Sequence, residues 1–167
     1  MTPTSRTSVP DLELPDQSGS PRRLSELAGG DPLVLHTFRG HWCPKEQRFF
    51  RRLVALQDEL EVGYARMASL SVDPPAVNAA LRDGLGARWT FLSDPERTAQ
   101  AQLGLRETTD TVHDPYVPRV FVLTAELEVV AEHDGYWYWG RPTLDELATG
   151  LREATRRMRD DFDAPTA

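Results

Sequence analysis

The sequence is poor in sulfur, in lysine and in long apolar runs. It has one cysteine, Cys43, and one lysine, Lys45, among 19 basic residues. A single cysteine excludes an intramolecular disulfide, a CxxC redox pair and any zinc site with two or more thiolates. It leaves room for a reactive thiol. No stretch approaches the roughly 20 apolar residues of a membrane-spanning helix. The N-terminal residues have no apolar run of signal-peptide length, so a cytoplasmic location is the default expectation. A formal net charge of -7 argues against nucleic acid or an anionic membrane as a partner. His36, His41, His113 and His133 show no metal-ligand spacing, so neither a metal nor a cofactor is expected.

What remains fits one soluble domain. The chain has 167 residues, 40% hydrophobic and 27% charged, enough to bury a core without disulfides. Residues 1–8 and 160–167 are expected to be loose ends. Leu33–Phe38 reads as a buried strand, and a helix follows from about Pro44 with Phe49, Leu53, Leu56 and Leu60 on one face. Met67–Val72 reads as a second strand. Pro74 and Pro75 then open a helix whose face is Val77, Leu81 and Leu85. Asp94-Pro95 suggests a cap and first turn for a further helix that stops near Gly104. Val120–Leu123 and Leu127–Ala131 form a hairpin pattern. Thr143 and Glu146 make a capping box ahead of the stripe Leu144, Leu147, Leu151 and Met158. This order predicts an α/β fold with a mixed central sheet and helices on both faces.

Cys43 carries the chemical interest. It stands just after a buried strand, at the start of a helix. Helix N-terminal N–H groups lack intrahelical partners and favour a thiolate, the nucleophilic form of cysteine. The alternative is an inert, buried cysteine that packs as a small apolar residue.

The surrounding motifs resemble the peroxiredoxin, or alkyl hydroperoxide reductase/thiol-specific antioxidant, family of thioredoxin-like fold. The likeness spans about residues 9–151 and rests on five segments in order: VPDLELPDQSGSPRRLSEL, FRGHWCPKEQ, SLSVDPP, FLSDPERTAQAQLGL and VPRVFVLTAELEVV. The second of these is similar to the branch with an RGxWCP signature. The resemblance implies that Cys43 is the peroxidatic cysteine, that Glu46 is the glutamate following it, and that Arg119 is the active-site arginine. The cation would stabilise the thiolate, and the carboxylate would hold the guanidinium. Most family members carry Pro-x-x-x-Thr-x-x-Cys, where this chain has His36 and Gly40.

The implied activity is a thiol-dependent peroxidase with one cysteine. Its substrate is hydrogen peroxide or an organic hydroperoxide, and an external small thiol or thioredoxin-type protein recycles it. Thr37, Gly40, His41, Trp42, Trp137 and Trp139 are expected around the substrate, the last two from the aromatic run Tyr136–Trp139. That run also offers an apolar face for a homodimer. Arg39 is equally readable as added positive potential or as a solvated side chain. Two other readings stand beside the peroxidase: a redox sensor or other thiol enzyme on the same scaffold, and a non-catalytic interaction domain.

Overall fold

All five residues of Leu33–Thr37 are buried, so both faces of this central strand are covered, and the fold is built outward from it. The computed structural model describes residues 6–135 and 139–162. In chain order the elements are β1 (Glu13–Pro15), β2 (Pro21–Arg23), α1 (Leu24–Ala28), β3 (Leu33–Thr37), α2 (Pro44–Val62) and β4 (Arg66–Ser71). There follow α3 (Pro75–Leu85), β5 (Thr90–Ser93), α4 (Thr98–Leu103), β6 (Arg119–Leu123), β7 (Val129–Asp134) and α5 (Leu144–Met158). The main sheet has the order β5-β4-β3-β6-β7. β3, β4 and β5 are parallel, and β6 and β7 run antiparallel beside β3. The mixed sheet flanked by helices is the expected α/β architecture. No described helix is long and apolar enough to cross a membrane.

The sheet divides the core in two. On one face Leu33 and Leu35 pack with Leu24 and Leu27 of α1, Leu103 of α4, and Tyr116 and Phe121. On the other, Val34 packs with Phe49, Phe50 and Leu53 of α2, Val120 and Val122 of β6, and Leu147 and Leu151 of α5. Each such buried side chain contributes about 1.5–3 kcal/mol relative to exposure. α2 is thereby fixed across the sheet with its N-terminus at the end of β3, which is where Cys43 sits.

Several elements depart from the sequence reading. β1, β2 and α1 were not foreseen. Val77, Leu81 and Leu85 are only half-buried, and the buried residue of α3 is Asn78. Its amide donates to Leu92 O and Ser93 Oγ of the neighbouring strand, at 3.1 and 3.0 Å. α4 starts at Thr98 rather than Pro95, because Arg97 is left-handed (φ 62°). Asp94 still caps it, by accepting from Gln100 N at 2.8 Å. Residues 6–8 are not loose: Val129 N donates to Thr7 O at 2.9 Å, and Ser8 bridges Glu128. The Thr143–Glu146 capping box is formed as expected.

Candidate active site

Cys43 is the N-cap residue of α2, with Pro44 in the first turn. It is 2% exposed. Its N–H donates to Gly40 O at 3.2 Å, and its carbonyl accepts from Gln47 N at 3.1 Å. The thiol therefore sits at a rigid corner between strand and helix.

A guanidinium faces the sulfur, and it belongs to Arg39. Arg39 Nη1 lies 3.7 Å from Cys43 Sγ. Glu107 grips the same guanidinium twice, at Nε (2.6 Å) and Nη2 (3.3 Å), and Asp110 accepts from Nη2 at 3.1 Å. The Trp42 ring covers it, with the guanidinium carbon 4.8 Å from the ring centroid. Burial works against the Arg39 charge, but the Glu107 and Cys43 contacts outweigh it and hold its pKa above the ordinary arginine value.

The acids come from the loop 106–116 between α4 and β6. Glu107 N donates to Pro115 O, and Val117 N to Leu105 O, which closes the base of the loop. Arg97 Nε donates to Asp114 O at 3.0 Å. Asp110 accepts from the backbone N–H groups of Val112 and His113, and its carboxyl lies below the ordinary aspartate range, chiefly because of the His113 backbone bond. His113 stacks on Trp42 with ring centroids 3.8 Å apart. Loop and nucleophile segment are thus joined by charge and by ring stacking.

Glu46 has a different neighbourhood from the one expected. It is fully buried, at ion-pair distance from His36 Nε2 (3.4 Å) and paired with Arg141. Burial pushes its carboxyl up, yet His36 and then Arg141 prevail and hold it below the usual glutamate value. His36 Nδ1 lies 3.3 Å from Ser69 Oγ, which accepts from Trp89 Nε1 at 2.9 Å. A polar chain therefore crosses the core beneath the site.

Arg119 is not brought to Cys43 or to Glu46. It lies opposite Asp134 in the β6–β7 ladder. Its Nη1 donates to Glu132 at 2.9 Å, and its Nε lies 3.0 Å from Asp134. Both acids project on the same face of β7 as the arginine on β6, so cross-strand pairing holds it there.

The expected substrate shell is partly dispersed. Thr37 is fully buried and its hydroxyl donates to Val117 O at 2.8 Å, so it is not directed to a substrate. His41 is fixed to Asp73 through its backbone N–H (2.9 Å) and Nδ1 (3.0 Å). Gly40 and Trp42 do border Cys43. A Cβ on Gly40 would collide with the Trp42 indole, so a threonine cannot stand there while Trp42 covers Arg39. Trp139 is 71% exposed and lines a cavity along α2. Trp137 lies outside the described residues. No group of three or more His, Cys, Asp or Glu side chains among the described residues is arranged to hold a metal ion.

Arg39, Glu107, Asp110 and Arg141 were not in the expected set. Glu107 and Asp110 are 68 and 71 positions from Arg39. The only sequence signal was the charged run RETTDTVHD between Leu105 and Tyr116.

A thioredoxin-like sheet that presents one buried cysteine at a helix N-terminus, beside a guanidinium, defines a thiol-dependent peroxidase of the peroxiredoxin class. Comparison with known proteins agrees. Residues 6–132 match the AhpC/TSA family, and the chain belongs to that family. Chains from two strains of Mycobacterium tuberculosis that carry a provisional peroxiredoxin name are each 33% identical over 125 residues, covering 73% of this chain and 79% of their own. The crystal structure of peroxidoxin BcpB from Mycobacterium tuberculosis is similar, with a TM-score of 0.74 and 25% identity over 91% of this chain and 96% of that one. Enterococcus faecalis AhpC shares the fold, with a TM-score of 0.76 at 16% identity over 95% and 96% of the two chains.

Proposed function

We propose that the protein is a one-cysteine peroxidase in which Cys43 attacks a peroxide and Arg39 is the cation at the sulfur. The observation that supports this most directly is the 3.7 Å approach of Arg39 Nη1 to Cys43 Sγ. The thiolate attacks the terminal oxygen of R–O–O–H. An S–O bond forms as the O–O bond breaks, and the sulfur is oxidised to a sulfenic acid. The departing oxygen takes a proton and leaves as alcohol or water. Arg39 supplies N–H donors on the side where that negative charge moves. Glu107 and Asp110 act through Arg39 as positioning residues, and Trp42 shields it from water.

Cys43 is the chain's one cysteine, so recovery needs thiols from outside. A first thiol attacks the sulfenic sulfur and releases water, leaving a mixed disulfide. A second thiol frees Cys43 and carries away the disulfide. A small thiol or a thioredoxin-type protein fits this step. The test is intact mass after brief exposure to peroxide. One added oxygen is expected on the native chain and none on a Cys43→Ser chain. An unchanged native mass at modest peroxide excess contradicts the reading.

A further inference from the structure

We propose that the cavity along the first turns of α2 binds an organic anion, a carboxylate carried on an apolar body, and that this anion is a co-substrate of Cys43. The inference rests on the peroxidase reading for its purpose and on independent geometry for its location. The cavity measures about 380 Å³ and is lined by Lys45, Arg48, Arg52, Phe49, Trp139 and Arg141. That volume falls within the range of small-molecule sites.

Its charge is the first argument. Lys45, Arg48 and Arg52 are spaced three and four apart, so they line one face of α2. All three are exposed, and none has a carboxylate partner among the described residues. Elsewhere the arginines mostly sit in ion pairs: Arg22 with Asp16, Arg66 with Asp31, Arg88 with Asp58 and Glu61, Arg106 with Asp114. Three adjacent unpaired cations on a chain of net charge -7 repel one another. An anion relieves that repulsion, and arginine forks suit a carboxylate in particular.

Its shape and neighbours are the second argument. Trp139 is 71% exposed and lines the same cavity as the cations, adding a flat apolar surface to it. An apolar body against the indole with a carboxylate on Arg48 and Arg52 uses both surfaces. The cavity runs along the first turns of α2, the helix that Cys43 caps. Lys45 is two residues past Cys43, and Arg141, which lines the cavity, pairs with buried Glu46. Arg48 and Arg52 lie roughly 8 and 13 Å along the helix axis from Cys43.

A peroxidase cycle has two organic co-substrates, the hydroperoxide and the thiol, and either can carry the carboxylate. Binding is measured first, by calorimetry on full-length Cys43→Ser protein with decanoate and decan-1-ol as probes. Decanoate is expected to bind at least about tenfold more tightly than the alcohol, and Arg48→Gln/Arg52→Gln is expected to remove that difference. Equal binding of the two probes, or unaltered decanoate binding by the double variant at an unchanged melting temperature, overturns the site. The Cys43→Ser chain has no thiol, so this result stands apart from the peroxidase reading. The native protein then separates the sources. A faster oxidation by a carboxylate-bearing hydroperoxide than by its methyl ester assigns the site to the peroxide. A faster recovery with a mercaptoalkanoate than with its ester assigns it to the thiol. No preference in either step overturns the co-substrate role.

Discussion

Arg39 Nη1 and Cys43 Sγ lie 3.7 Å apart across a single turn of chain. The six residues from Phe38 to Cys43 form one tight connection between β3 and α2, so the cation and the nucleophile are placed by the same short segment. This local pairing leaves Arg119 to the β6–β7 ladder, where Glu132 and Asp134 hold it.

Arg39→Met removes the donor facing the sulfur. The second-order rate of Cys43 oxidation by hydrogen peroxide is expected to fall by about 10²-fold, the usual cost of losing one preorganised donor. Arg119→Met is expected to change it by less than about threefold. Stopped-flow tryptophan fluorescence checks both. The reverse ranking would return the role to Arg119.

Glu46→Gln removes the buried charge that pairs with Arg141. A loss of about 3 kcal/mol at pH 7 is expected from breaking a buried pair. The folded carboxyl lies below its unfolded value of about 4.3. Its stabilisation is therefore fully present above about pH 4.3 and fades as pH falls through the lower folded value. Urea melts at pH 7 and in acid should show the gap between native and variant closing on acidification. A gap independent of pH would mean that the cost of Glu46→Gln is one of packing.

Gly40→Thr puts a hydroxyl three residues before Cys43, but its Cβ displaces the Trp42 indole. The expected result is faster alkylation of Cys43, now less shielded, and no gain in peroxidase rate. A red-shifted tryptophan emission would report the exposed indole. A gain in rate with unchanged emission would show that Trp42 tolerates the side chain.

Glu107→Gln loosens the clamp on Arg39 without touching the sulfur. Glutamine keeps one acceptor, so a drop of about 10-fold in the oxidation rate is expected, and Glu107→Ala should lose more. Comparable losses in the two variants would indicate that charge, rather than position, is what Glu107 supplies.

The strands and long helices were legible because their burial is periodic. Phe49, Leu53, Leu56 and Leu60 mark α2 through about three turns, and all are buried. The three-residue strands β1 and β2 and the five-residue α1 are too short to show a period. In α3 the pattern of Val77, Leu81 and Leu85 gave the helix but not its depth, because the buried contact is the polar Asn78. Cys43 was legible from its place at a strand end and helix start. Its partners were less so. Arg39 looked equally fit for solvent, since nothing nearby in sequence reveals Glu107 and Asp110. Those acids meet it only when the loop 106–116 folds over the end of β3. Glu46 was expected to hold the Arg119 guanidinium; the arginine it pairs with is Arg141, 95 positions away, and nothing near Glu46 in sequence points to it.

The most direct test compares Cys43 with itself. The rate of its oxidation by hydrogen peroxide is measured in the folded protein and in the urea-unfolded chain at one pH, by quenching and intact mass. If the fold activates the sulfur through Arg39, the folded protein reacts at least about 10²-fold faster, and Arg39→Met removes most of that advantage. A folded rate equal to or below the unfolded rate would show that the buried thiol is protected rather than activated.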